Sequence, residues 1–176
     1  MALSAAALLN RLQAFDGKAV TLLGEIEAEY RGEANYLDAL IALAAHDQAE
    51  VSSGATWLIK AALEGGEALS PAQSEALWDE IPAIRYWQAQ LHVCQSAAHL
   101  TFSADGAATM DRWLTPLLHH DRPFLRAWSV DALCRIAVQH PEYGHAARDA
   151  ARAAAKDSAA SVRARVRQLG DLLADI

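Results

Sequence analysis

Apolar residues recur every three or four positions through almost the whole chain, and short breaks of Gly, Pro, Asp and Ser separate the runs. This is the pattern of amphipathic helices, and alternating Val/Ile/Thr-rich runs that would mark strands are absent. The breaks predict helices at about 4–15, 18–30, 34–46, 52–64, 71–82, 83–98, 107–119, 123–139, 144–155 and 159–174. Asp16-Gly17 interrupts the first two, and Gly65-Gly66 is a C-terminal glycine signal for the fourth. Ser70-Pro71-Ala72-Gln73 supplies a serine cap, a proline at the first helical position and a glutamine at the third. Residues 101–106 read as a loop, with Asp105-Gly106 opening the next helix, and Pro116 is expected to kink or shorten that helix. The last helix is expected to start from a cap at Asp157 or Ser158.

Four of these turns look alike. His46-Asp47, Asp79-Glu80, His120-Asp121 and Lys156-Asp157 each place an acidic residue before a helix. An aliphatic residue then precedes Ser or Arg in Val51-Ser52, Ile84-Arg85, Leu125-Arg126 and Val162-Arg163, at spacings of 33, 41 and 37 residues. On these residues the chain resembles the HEAT-repeat family over about 33–174. The resemblance implies an all-α fold, a short right-handed α-α superhelix of about four hairpins. Residues 1–32 would be an N-terminal capping pair and 33–176 the repeats of a single domain. It also implies that the turn aspartate meets the early arginine across the turn or in the neighbouring repeat. That fits Asp121 with Arg126 and Asp157 with Arg163, extends to Asp79 with Arg85, and fails where Ser52 replaces the arginine.

Charge is unevenly spread. Residues 1–120 hold 6 basic and 15 acidic side chains, whereas 121–176 hold 9 basic and 7 acidic, within a chain of net charge −7. A polyanion is repelled by the whole and could be met only by the C-terminal third. Cys94 and Cys134 each lie in an apolar helical run and read as buried thiols. The N-terminal run lacks a basic leader and no stretch reaches the ~20 apolar residues of a membrane span, so the expectation is a cytoplasmic chain with no membrane contact.

Candidate chemistry is sparse. None of the seven histidines forms a metal-ligand motif, and His119, His120 and His140 are expected to bond the last carbonyls of helices. No nucleophile elbow or phosphate loop is present, so neither a catalytic residue, nor a metal, nor a cofactor is assigned. Glu25, Glu27, Glu29 and Glu33 read as a solvated face. Trp57, Trp87 and Trp128 fall in second helices at roughly equivalent places, so they either pack between layers or anchor a ligand. The residues offered for binding are Arg85, Tyr86, Trp87, Gln90, Arg126 and Trp128, because Tyr, Trp and Arg dominate interface hot spots. Arg148, Arg152 and Lys156 make an i, i+4, i+8 basic stripe able to hold phosphates or to bridge to nearby aspartates.

The expectation that follows is a non-enzymatic adaptor or scaffold binding a protein or peptide, its acidic body suited to a basic partner. A regulatory subunit of a larger complex is not distinguished from it. The alternative is a DNA-binding HEAT-like protein related to alkylbase DNA glycosylases, in which an aspartate follows a tryptophan at helical spacing. Trp128 and Asp131 are the nearest match, in a chain that is short and acidic for that role.

Overall fold

The computed structural model describes residues 5–176, and among these the regular structure is entirely helical: eleven α-helices and three short 3-10 turns. The predicted start of the first helix at residue 4 lies outside the described residues. The chain packs as two compact units, one running to His99 and the other from Leu100 to Ile176.

The first unit holds α1 (Ala5–Leu12), α2 (Thr21–Tyr30), α3 (Tyr36–Ile41), α4 (Ala49–Glu64), α5 (Pro71–Glu80) and α6 (Trp87–Ser96). Helix α4 is its centre and packs against α1, α2, α3 and α6. Small side chains make that possible. Gly54 faces Leu12 and Leu23, and a Cβ there would stand 2.8 Å from Leu12 Cδ2. Helix α4 ends in a Schellman turn: Glu67 N–H donates to Ala62 O (3.0 Å) and Gly66 N–H to Leu63 O (3.1 Å). Gly66 takes φ +92°, which an L side chain resists. Arg31 locks the same end, donating to Gly65 O and to Glu67. At α5 the expected capping box forms in full between Ser70 and Gln73.

The second unit holds α7 (Ala104–Leu117), α8 (Pro123–Gln139), α9 (Gly144–Ala154), α10 (Ala160–Gln168) and α11 (Gly170–Ala174). Here α8 is central, packed by α7, α9, α10 and α11. Ser103 rather than Asp105 caps α7, accepting from Gly106 N–H at 3.0 Å. Pro116 lies inside the last turn of that helix, which runs through it to Leu117. The predicted helix 159–174 is two helices broken at buried Leu169, whose N–H is shared by the carbonyls of Arg165 and Val166. In the first unit α6 begins at Trp87 instead of 83, because Pro82 sits in a 3-10 turn (Ile81–Ala83) and Ile84 is extended.

Helices α4, α6, α8 and α10 share one way of starting. Their N-cap residues, Gln48, Tyr86, Arg122 and Ala159, are all extended (ψ between 119° and 132°) and none caps with its own side chain. In each, a side chain four residues beyond the N-cap donates back to a carbonyl of the preceding turn. Ser52 Oγ donates to Ala44 O (2.6 Å) and Gln90 Nε2 to Ile84 O (3.3 Å). Arg126 Nη1 donates to His120 O (2.7 Å) and Arg163 Nη1 to Asp157 O (2.6 Å). The residue before each donor, Val51, Ala89, Leu125 and Val162, is fully buried. These four donors are 38, 36 and 37 residues apart. The register expected through Arg85 is therefore corrected: Gln90 is the equivalent position, and Arg85 precedes the N-cap.

Candidate functional site

The turn preceding α10 is tied to the turn preceding α8. Arg126 sends Nε to Asp157 Oδ2 (2.7 Å) and Nη2 to Oδ1 (2.9 Å), while its Nη1 holds the turn carbonyls of His120 and Asp121. Both side chains are largely covered, at 17% and 14% exposure. The Arg126 bonds, followed by the N–H of Ala159, hold the Asp157 carboxyl down at about 2. The expected Asp121–Arg126 pairing thus runs through the backbone oxygen of Asp121, and the carboxylate partner belongs to the following turn. Arg163 likewise takes the backbone oxygens of Asp157 and Ser158.

Beside this pair lies a groove of about 880 Å³. It is lined by Leu118, Pro123, Val130 and Val162, by Ala146, Ala150 and Ala153 of α9, and by the Arg126–Asp157 pair. His119, Asp121, Asp149 and Ser158 stand exposed along it. The alanines leave the groove open because they fill none of the space between the helices, and the pair keeps the two turns at a fixed separation. The exposed Phe124 stands on α8 next to Pro123.

Trp128 and Arg135 lie two and nine residues beyond Arg126, and at about 100° per residue this puts them on the opposite side of α8. There the Arg165 guanidinium lies over the Trp128 ring, 3.6 Å from its centroid. Beneath them Asp131, 2% exposed, faces two arginines: Oδ1 accepts from Arg135 Nε at 3.2 Å, and Oδ2 is 3.5 Å from Arg165 Nη1. Asp131 is therefore closed to solvent, hydrogen-bonded to Arg135 through Oδ1 and, through Oδ2, which accepts no hydrogen bond, within ion-pair distance of Arg165.

The first-unit residues join a different arrangement. Arg85 pairs with Asp47 at 2.8 Å, not with Asp79. The Tyr86 hydroxyl donates to the Asp47 carbonyl, and the Arg85 guanidinium lies 5.1 Å from the Tyr86 ring. This pair stands in water at 56% and 88% exposure, and Arg85 holds the Asp47 carboxyl below its usual range. Gln90 is spent on the turn carbonyl of Ile84. Trp87 is half-buried at the first position of α6. Counted from their N-caps, Trp57, Trp87 and Trp128 occupy the ninth, first and sixth positions, so the expected equivalence of the tryptophans does not hold.

The basic stripe is largely engaged. Arg148 donates to the Ile176 carbonyl (2.5 Å) and Arg152 to Asp149 (2.6 Å), while Lys156 lies beyond the end of α9. The histidines do other work than expected. His46 Nδ1 accepts from Gln48 N–H (3.1 Å) and His120 Nδ1 from Arg122 N–H (3.0 Å), and Asp157 plays the same part for Ala159 N–H. Each shapes the approach to the next helix instead of capping the previous one. His140 bonds the Phe102 carbonyl through Nε2. His92, between α4 and α6, meets Thr56 Oγ1 at 3.2 Å, and burial pushes its imidazole down to about 4. Both cysteines are buried as expected, and burial raises the Cys134 thiol to about 12. Among the described residues no cluster of His, Cys, Asp and Glu could hold a metal ion, and no helix is long and apolar enough to cross a membrane. No protein-family model, curated protein or solved structure matches this chain.

Proposed function

We propose that the chain is a non-enzymatic, cytoplasmic protein-binding adaptor built from HEAT-like repeats, and that the groove of the second unit receives a peptide segment or one face of a partner helix. The observation that carries the reading is the groove itself: about 880 Å³, lined largely by apolar side chains and bordered by the bidentate Arg126–Asp157 pair. Ligand sites are concave, mainly apolar and framed by a few fixed polar groups, and this groove has that composition. The period of 36–38 residues in the buried helix starts supports the repeat assignment, since such repeats are helical hairpins of about that length. The exposed Asp121 carboxylate at the rim favours a basic residue in the bound segment.

The test is site-directed photocrosslinking in the native host. A photoreactive residue at Ala150 should capture one discrete protein, and the same residue at exposed Glu75 on α5 should not. Ala150→Trp in the groove, combined with a crosslinker at Ala146, should abolish the adduct. Equal capture from both sites, or capture that survives the blocking tryptophan, would overturn the reading.

A further inference from the structure

We infer that Arg135 and Arg165, oriented by buried Asp131 beside Trp128, form a receptor for a single carboxylate, an Asp or Glu side chain of a peptide or protein partner. The argument starts from Asp131. A carboxylate 2% exposed is costly unless compensated, and here its two oxygens face two different guanidinium groups. One anion thus holds Arg135 by a hydrogen bond and attracts Arg165 by charge, and the trio leaves one net positive charge at the surface.

Neither cation is used up. Arg135 commits only Nε to Asp131 Oδ1, and its side chain is 36% exposed. Arg165 turns Nη1 toward Oδ2 and remains 26% exposed. Among the described residues no further acceptor takes their other side-chain N–H groups. An arginine fork has five donors in a fixed plane and suits a carboxylate bidentately. The plane of Arg165 is itself set by stacking on Trp128 at 3.6 Å. The long flexible side chains that usually weaken an exposed arginine site are therefore already ordered, which lowers the entropic cost of binding.

Charge selects the ligand. One net positive charge matches one carboxylate, whereas a polyanion would meet a molecule of net charge −7. The site lies on the side of α8 away from the groove, so it does not rest on the groove reading.

Fluorescence anisotropy at low salt on the full chain tests the assignment with three fluorescein-labelled probes: a C-terminally amidated Gly–Ser 12-mer carrying one central Glu, the same peptide with Gln in its place, and a 12-nucleotide single-stranded DNA. The single-Glu peptide should bind at least about ten-fold more tightly than the other two. Arg135→Gln and Arg165→Gln should each weaken it about five-fold or more, whereas Arg167→Gln, the same loss of charge from an exposed place on α10, should change it less than about two-fold. Asp131→Asn is the decisive variant. Simple electrostatics predicts tighter binding once a negative charge is removed, and an orienting role predicts weaker binding. Circular dichroism would establish that this variant folds, and if it does not, the contrast between Arg135→Gln and Arg167→Gln decides alone. Equal binding of the two peptides, tighter binding by Asp131→Asn, equal losses in Arg135→Gln and Arg167→Gln, or a preference for DNA would each overturn the proposal.

Discussion

Each unit ties two of its turns together with an arginine and an aspartate, and the two ties differ in depth. In the second unit Arg126 and Asp157 meet bidentately with most of their surface covered. In the first, Arg85 reaches Asp47 through Nη2 alone, in open water. An exposed pair gains little over its hydration, while removing one partner of a covered pair strands the other. The same chemistry thus fixes spacing in one place and ornaments the surface in the other. The first unit depends more on what lies inside it: α4 carries Ser52, Ser53, Gly54 and Thr56 into the core and meets His92 of α6 there.

The largest contrast should appear on acidification. His92 is held neutral, with its imidazole at about 4 against an ordinary 6.5, so the unfolded chain binds a proton that the folded chain refuses. Its contribution is intact above pH 6.5 and is lost as pH falls toward 4, on the order of 3 kcal/mol in all. Asp157 stays charged down to about 2 and keeps the second-unit tie through that window, losing it only as pH falls below about 4. Protection factors of α4 and α6 amides, corrected for the intrinsic exchange rate at each pH, should fall between pH 6.5 and 4 ahead of those in α8 and α10, and His92→Gln should flatten that dependence.

At neutral pH, Asp157→Ala should destabilise the second unit by about 2–3 kcal/mol, since it strands Arg126 and frees the Ala159 N–H. Exchange in α8 and α10 would report it, and an unchanged α10 would contradict the account. Gly54→Val should cost the first unit about 1–3 kcal/mol by forcing Leu12 and Leu23 away from α4, seen as a lower urea midpoint. Smallest of all, Arg85→Ala should leave the urea midpoint at the parent value. A clear drop there would erase the distinction between the two ties.

Local signals made much of the fold legible. The Ser70-Pro71 start, the Gly65-Gly66 stop and the Pro123 start all stand where the sequence places them, because each acts through backbone chemistry within a few residues. Register was harder. Ser52, Gln90, Arg126 and Arg163 do one job with three kinds of side chain, so matching by residue type picks out Arg85, and the delay of α6 by the Pro82 turn is what exposes the mismatch. Trp128 was legible as a candidate, but its partner was not. Arg165 lies 37 residues away, and only the packing of α10 on α8 brings the two together. The groove left no signal in the sequence, since alanine reads there as an ordinary helix former.

The shared helix start also bears on the order in which the molecule assembles. The bonds from Ser52, Gln90, Arg126 and Arg163 to their turn carbonyls span eight residues or fewer, while the Arg126–Asp157 pair spans 31. Short loops close first and at little entropic cost. Each turn can set before its neighbour is in place, and the long-range tie closes late. Stopped-flow kinetics of Asp157→Ala should therefore show faster unfolding with a refolding rate close to the parent's, making this ion pair a brake on opening and not a guide to folding.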